Sequence, residues 1–314
     1  MAQERVEIAA IGGQRPFVLE ALRSEFVLHE VWDAPDKVVA LGSAAERIRG
    51  VVSHGMAGLP TAVIEGLPNL EICAINGVGL ETTDLETARR RGVVVATAPV
   101  LFDDVADLAV ALGLAACRRL AEGDRFVRAG AWLRGRMPMG RKFSGKRAGI
   151  LGYGRIGATL ARRLAGFDMT IGYHDPFPKS GVPHTAWHDP VTLARESDIL
   201  FLCAAGLPGG GKVVTREILE ALGPSGVFVN VSRGWLVDEP ALVDLLSSGR
   251  LGAAGLDVFD DEPKVPEALL SLDNVVLTPH VASNTEETMR AMGECVLGNI
   301  RSWFAGEGAL TPVD

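Results

Sequence analysis

The run Gly149-Ile150-Leu151-Gly152-Tyr153-Gly154-Arg155-Ile156-Gly157 has the residue types and spacing of a pyrophosphate cradle. An apolar stretch enters a tight glycine turn, and Ala158 to Gly166 then reads as a helix. Gly152 permits the sharp turn, Gly154 lets backbone approach phosphate, and Gly157 lets the helix pack close to its strand. A helix N-terminus offers unpaired N–H groups and partial positive charge to an anion. Asp175 follows eighteen residues after Gly157, at the end of the next predicted strand, where a carboxylate can accept from ribose hydroxyls. Strand, helix and distal acid together predict a dinucleotide site.

Three further polar groups fall at the ends of predicted strands. Asn230-Val231-Ser232-Arg233-Gly234 follows one, Leu256-Asp257-Val258-Phe259-Asp260-Asp261-Glu262-Pro263 the next, and Thr278-Pro279-His280-Val281-Ala282-Ser283 the last. Ligands of open α/β sheets bind outside the carboxyl ends of the strands. An arginine, a carboxylate and a histidine are therefore expected at one sheet edge, beside the nicotinamide half of the cofactor.

The elements that must position these groups are short and regular. Expected strands are Val6–Ile11, Val51–Ser53, Ile72–Ile75 and Val93–Ala96, with helices between them such as Pro60–Glu65 and Leu85–Arg91. A long apolar helix over Asp103–Leu120 leads to a second series: Arg147–Leu151, Met169–Tyr173, Ile199–Cys203, Val227–Val231, Ala253–Val258 and Val275–Leu277. Nearly continuous apolar strands alternating with helices predict a parallel, doubly wound α/β sheet buried on both faces. A final helix over Thr285–Phe304 is expected to return to the first domain. The expected organisation is a discontinuous flavodoxin-like substrate domain, residues 1–98 and 285–314, and a Rossmann-type domain, residues 99–284, with a cleft between two lobes.

Composition narrows the class. At 314 residues the chain suits two domains rather than one core. A net charge of −8 disfavours nucleic acid or an anionic membrane as partner. The one basic cluster, Arg134, Arg136, Arg141, Lys142, Lys146 and Arg147, reads as a solvated or subunit-facing loop. Cys73, Cys117, Cys203 and Cys295 lie far apart in apolar contexts, which predicts reduced core thiols and no metal site. Met1 to Arg5 shows no basic segment followed by an apolar core, so a cytoplasmic enzyme is expected.

With these motifs the chain resembles the D-isomer-specific 2-hydroxyacid dehydrogenases, and within them the glyoxylate/hydroxypyruvate and hydroxyphenylpyruvate reductases. The resemblance extends to Asn76-Gly77-Val78-Gly79 and to Asp104-Val105-Ala106-Asp107-Leu108-Ala109. It implies a homodimer, a mobile hinge, and reduction of a 2-keto acid to a D-2-hydroxy acid with NAD(P)H. Hydride arriving at a keto carbon builds negative charge on the keto oxygen, which a proton donor must meet. His280 is the expected acid, and the base in reverse. Glu262 would hydrogen-bond the far ring nitrogen and hold the imidazolium. Arg233 would reach the substrate carboxylate and keto oxygen with a planar fork. Val78 and Gly79 would offer backbone N–H groups to the substrate carboxylate. Cofactor contacts are implied at Gly152, Gly154, Arg155, Ile156, Gly157, Asp175, Val231, Ser232, Asp257 and Ser283, with Asp257 near the nicotinamide carboxamide. Asp175, with no basic residue before Lys179, favours NADH over NADPH.

The chain departs from the pattern in places. Ala204-Ala205-Gly206-Leu207-Pro208 stands where relatives often carry a Cys-Pro-Leu-Thr-like turn, which leaves the cofactor contacts there open. Phe102 replaces a frequent threonine and reads either as core or as pocket lining. Trp132 reads either as an interface anchor or as a residue reaching a partner subunit's pocket. His29, His54, His174, His184 and His188 match no motif. The alternative function is a catalytically weak, NAD-sensing protein of the corepressor type, which shares the fold and the three polar groups.

Overall fold

The computed structural model describes residues 5–177, 179–206 and 210–313. The chain divides into two compact units, Met1–Leu101 with Asn284–Asp314, and Phe102–Ser283.

The first unit contains strands β1 (Glu7–Ala10), β2 (Val27–Glu30), β3 (Ile48–His54), β4 (Ile72–Asn76) and β5 (Val94–Ala96). They form a parallel sheet in the order β2-β1-β3-β4-β5. Successive side chains of a strand point to opposite faces, and both faces here are apolar. Ile8, Ala10, Val52, Ile72 and Ala74 pack on one side with Val296, Leu297 and Ile300 of the helix Glu286–Phe304. Ala9, Ile11, Val51, Cys73 and Ile75 pack on the other with Ile64 and Leu67. The C-terminal helix thus belongs to this unit, and Thr285 caps it by accepting from Thr288 N at 3.2 Å. Strand β2 was not anticipated. It is an edge strand, and Val-Leu-His-Glu has no apolar run to announce it.

The second unit contains β6 (Arg147–Leu151), β7 (Thr170–His174), β8 (Thr185–Ala186), β9 (Ile199–Leu202), β10 (Val227–Asn230), β11 (Ala253–Leu256) and β12 (Val275–Leu277). The sheet order is β12-β11-β10-β9-β6-β7-β8, all parallel, a Rossmann-type doubly wound arrangement. Its core gathers Leu151, Leu200, Phe228, Leu242, Leu246 and Leu256. The long helix expected over Asp103–Leu120 runs Phe102–Arg118 and lies on this sheet, where a Cβ on Gly255 would stand 2.8 Å from Leu112. It stops because Arg119 turns left-handed, φ 54°, and a separate helix, Leu120–Arg128, follows. The two-residue edge strand β8 was also not anticipated. Within the basic segment, Arg141 donates to the carbonyls of Pro224 and Ser225, and Arg147 pairs with Glu196 and Asp198. Residues 207–209 of the atypical turn lie outside the described residues. No helix among the described residues is long and apolar enough to cross a membrane.

All four cysteines are unpaired, and Cys73, Cys117 and Cys203 are buried. Burial pushes the Cys117 thiol up to about 11 and the Cys203 thiol up to about 12, and raises Cys73 as well. Only the thiolate reacts. At pH 8 the native protein should therefore label at Cys295 alone, with the other three thiols appearing in denaturant. Rapid labelling of Cys117 or Cys203 in the folded protein, read by mass spectrometry, would contradict this packing.

Candidate active site

Strand β6 ends at Leu151 and the chain turns through Gly152 at φ 90°, where its N–H donates to His174 O at 2.8 Å. A Cβ on Gly152 would stand 2.5 Å from the backbone of Ala204, and one on Gly157 would stand 2.2 Å from Gly152 O. Both positions exclude a side chain, since each would collide with backbone. Gly154 differs: a Cβ there would meet nothing within 4 Å, so the outer face of the turn is open. Gly154 caps the helix Arg155–Ala165 with no side-chain hydrogen bond. The first-turn amides thus have no side-chain acceptor, and an anion can take that role. The residues present fit a dinucleotide pyrophosphate.

Asp175 follows β7. Its Oδ2 accepts from Tyr153 N and its Oδ1 from Phe177 N, both at 2.8 Å, which ties the carboxylate to the glycine turn. Beside it is a hollow of about 130 Å³ lined by Tyr173, His174, Ala186, Trp187 and His188. His174 Nδ1 lies 2.9 Å from Trp187 O. The Arg155 guanidinium sits 4.8 Å from the centroid of the Phe102 ring, a cation–π contact at the edge of the turn. Phe102 thereby supports Arg155, a third role beside the two weighed from sequence.

Because β10, β11 and β12 are parallel neighbours, the segments after them emerge at one edge. After β10, buried Asn230 shapes the loop: its Oδ1 accepts from Ser232 N at 3.0 Å and its Nδ2 donates to Arg233 O at 3.1 Å. Ser232 Oγ donates to Ala204 O, and Arg233 Nη1 donates to Ser232 O at 2.8 Å. A Cβ on Gly234 would lie 1.9 Å from the Phe259 carbonyl carbon and 2.4 Å from Asp260 N. Only glycine lets the Arg233 loop lie against Phe259. In turn, Phe259 N donates to Glu262 Oε1 at 3.0 Å, and Glu262 Oε2 lies 2.7 Å from His280 Nδ1. The other carboxylate oxygen is thus occupied, and His280 Nε2 is left as the ring nitrogen available for proton exchange.

His280 has φ 52°, a left-handed conformation that costs a non-glycine residue about 1–2 kcal/mol. Asp257 holds it there. Asp257 is fully buried, and its carboxylate accepts from Thr278 Oγ1 at 2.6 Å, Val281 N at 2.9 Å and Ala282 N at 2.9 Å. Its carbonyl accepts from His280 N at 2.8 Å. The sequence placed Asp257 beside the cofactor; both of its oxygens are committed to the His280 loop. Val231 is buried and Ser283 half-buried on either side of these loops, and Ile156 is half-buried in the first turn of its helix.

In the first unit, Val78 and Gly79 follow β4, after Gly77 at φ 126°. Gln14, which no motif singled out, braces this loop. Its Nε2 donates to Ser53 O at 2.9 Å and Gly12 O at 3.2 Å, while its Oε1 accepts from Asn76 Nδ2 at 3.4 Å. A glutamine carries no local pattern, and its role appears only when the ends of β1, β3 and β4 are brought together.

Replacing Asp257 by Asn should show how far the His280 loop depends on it. The amide nitrogen would face donors, so at least one buried bond is lost, at a cost of about 2 kcal/mol or more. Denaturant unfolding should report that loss, together with reduced kcat. Unchanged stability and turnover would show that the loop holds its shape without Asp257.

Residues 110–282 match the family model described as the NAD binding domain of D-isomer specific 2-hydroxyacid dehydrogenase. The chain is 46% identical to hydroxyphenylpyruvate reductase of Plectranthus scutellarioides over 95% of each chain. It is 40% identical to 2-ketogluconate reductase of Gluconobacter oxydans over 98% of each. Among solved structures, NADPH-dependent glyoxylate/hydroxypyruvate reductase of Sinorhizobium meliloti, in complex with NADP and malonate, superposes with TM-score 0.92 at 40% identity, covering 99% of this chain and 97% of that one. A matching family model over more than half the chain, relatives over nearly all of it, and the strand-end geometry agree: the chain belongs to the D-isomer-specific 2-hydroxyacid dehydrogenase family.

Proposed function

We propose that the protein reduces a small 2-keto acid to the D-2-hydroxy acid, with His280 as proton donor. Above all, the 2.7 Å contact between Glu262 and His280 supports this chemistry. It presents an imidazole with one nitrogen held by a carboxylate and the other available at the strand edge. When bound, the nicotinamide cofactor supplies the hydride. Gly152, Gly154, Arg155, Ile156 and Gly157 are assigned to its pyrophosphate, and Val231, Ser232, Asp257 and Ser283 to the surroundings of its nicotinamide half. His280 holds a proton at Nε2 and passes it to the keto oxygen as that oxygen gains charge. Glu262 keeps the ring oriented and stabilises its cationic form. Arg233 binds the substrate carboxylate and polarises the carbonyl, and the N–H groups of Val78 and Gly79 are assigned to the same carboxylate. The relatives' names span glyoxylate, hydroxypyruvate, hydroxyphenylpyruvate and 2-ketogluconate, and acids of this kind are the proposed substrates. None of these relatives supports the corepressor alternative.

A second copy of the chain is the proposed partner. Leu120, Trp132, Leu133 and Met139, all within residues 120–139, are 51–95% exposed, and exposed apolar side chains in this segment support an interface. The unpaired thiols support a cytoplasmic location.

Arg233→Lys keeps the charge but loses the fork. A folded variant should lose about 100-fold or more in kcat/KM. His280→Ala should abolish turnover while nucleotide still binds. Wild-type-like kinetics in either variant would remove that residue from the mechanism.

For the cofactor, Asp175 supports NADH. Its charge is fixed beside the glycine turn by two amide donors, and a carboxylate there repels a 2′-phosphate. The Sinorhizobium meliloti relative is NADPH-dependent by name, so the comparison is informative. NADH should give the higher kcat/KM, and Asp175→Ser should narrow the gap. NADPH performing at least as well as NADH would overturn the preference. An unmoved ratio in the variant would clear Asp175 of responsibility.

A further inference from the structure

In the first unit the chain enters its sheet at β1, winds one way to β2 and the other way to β3, so β1 and β3 flank a topological switch point. Doubly wound sheets hold ligands in the crevice at such a point. A hollow of about 510 Å³ opens there, lined by Gly13 after β1, Trp32, Asp33 and Lys37 after β2, His54 at the end of β3, Met56 after it, and Pro60 and Val63 beyond. No motif pointed to it.

We infer that this hollow receives the tail of the keto acid, and that it is built for an aryl tail carrying a hydroxyl group. The inference rests on the keto-acid reduction proposed above. Its first support is continuity. His54 lies opposite Asn76 in the β3–β4 ladder, and a Cβ on Gly55 would stand 3.6 Å from Gly79 O. The turn His54–Ala57 is therefore a wall shared by the hollow and the Gly77–Gly79 loop assigned to the substrate carboxylate. A 2-keto acid held there by its carboxylate has its tail next to this wall.

The second support is size and polarity. A dry cavity of about 150 Å³ takes benzene, so this hollow has room for a substituted ring. Trp32, Met56, Pro60 and Val63 supply aromatic and aliphatic walls. Met56 is 73% exposed without a ligand, and a thioether packs well against an aromatic edge. Asp33 and Lys37 add a polar side, so the hollow suits a ring that carries a hydroxyl better than a wholly apolar tail.

The third support is the state of His54. Ala57 N donates to His54 Nδ1 at 3.3 Å, so Nδ1 is an acceptor and carries no proton. Burial holds the ring below the ordinary histidine range, which leaves it neutral near pH 7. Its single proton is then on Nε2, next to the Cδ2 edge that a Cβ on Gly12 would approach to 2.8 Å. Lys37 is the nearby cation, and its ammonium donates to the carbonyls of Trp32 and Ala34. A neutral N–H donor, with the Asp33 carboxylate also lining the hollow, suits a phenolic hydroxyl better than a second carboxylate.

Gly13 supplies the test, because a Cβ there would meet nothing within 4 Å and its φ is not positive. Gly13→Phe should fill the hollow without straining the fold. Its kcat/KM for 4-hydroxyphenylpyruvate should fall at least about tenfold, while that for glyoxylate, which has no tail, stays within about twofold. Calorimetric binding of 4-hydroxyphenyllactate should weaken in parallel. His54→Phe should erase a wild-type preference for 4-hydroxyphenylpyruvate over phenylpyruvate. The inference is overturned if Gly13→Phe leaves the aryl substrate and product unaffected, if it harms glyoxylate equally, or if 2-ketogluconate is preferred to the aryl acids by the wild type. A wild-type protein that reduces no 2-keto acid refutes the underlying function instead. In that case loss of hydroxyphenyllactate binding in Gly13→Phe would still support the hollow as its site, and unchanged binding would dismiss it.

Discussion

A buried carboxylate is costly unless donors surround it. Asp257 meets that condition by drawing one hydroxyl and two amides of the segment 278–282 onto itself. The consequence is geometric. The loop must double back over the end of β11, and His280 must take a backbone conformation it would otherwise avoid. In that conformation its ring meets Glu262, which is aimed in turn by the Phe259 amide. The contact between Glu262 and His280 thus depends on a buried carboxylate bonded to Thr278, Val281 and Ala282. Strain at His280 is offset by bonds made elsewhere, as is usual where backbone strain is kept at a functional site.

The two ends of the second unit's strand edge are joined through Ala204. A Cβ on Gly152 would collide with its backbone, and Ser232 Oγ donates to its carbonyl. Two residues on, a Cβ on Gly206 would stand 2.2 Å from the Trp235 ring. The segment after β9 is therefore pressed between the nucleotide turn and the Arg233 loop. This accounts for the small residues Ala204 and Gly206: the space left between two loops sets the side-chain size. Displacing Ala204 would move both loops at once, so the nucleotide turn and the arginine loop cannot be adjusted independently.

Much of this was legible before any coordinates. The central strands are apolar on both faces and bounded by turns, and the glycine triplet, Arg233, Glu262 and His280 stand at the strand ends where the motifs placed them. Information failed where no local pattern exists. Edge strands β2 and β8 are short, β2 partly exposed and β8 fully so, and neither hydrophobic run nor alternation reports them. Arg119 ends a helix through a backbone angle that arginine does not announce. Gln14 acts by bracing segments distant in sequence, and Gly234 by lying so close to a chain 25 residues on that a Cβ there would stand 1.9 Å from the Phe259 carbonyl carbon. His54 has no motif around it and reads as an ordinary histidine until three strand ends converge beside it.

The two sheets use their edges differently for one physical reason. A parallel strand ends with unpaired backbone groups, and the switch point leaves a gap there that no connection covers. In the second unit the gap beside β6 opens at Gly154, where a Cβ would meet nothing within 4 Å, while Gly152 and Gly157 pack too closely on backbone to carry a side chain, so backbone forms the surface and suits an anion. In the first unit the gap beside β1 is lined by Trp32, Asp33, Lys37, Met56, Pro60 and Val63, so side chains form the surface. The parallel sheet supplies the place in both units; the size of the residues just beyond the strand decides whether backbone or side chains form the surface there.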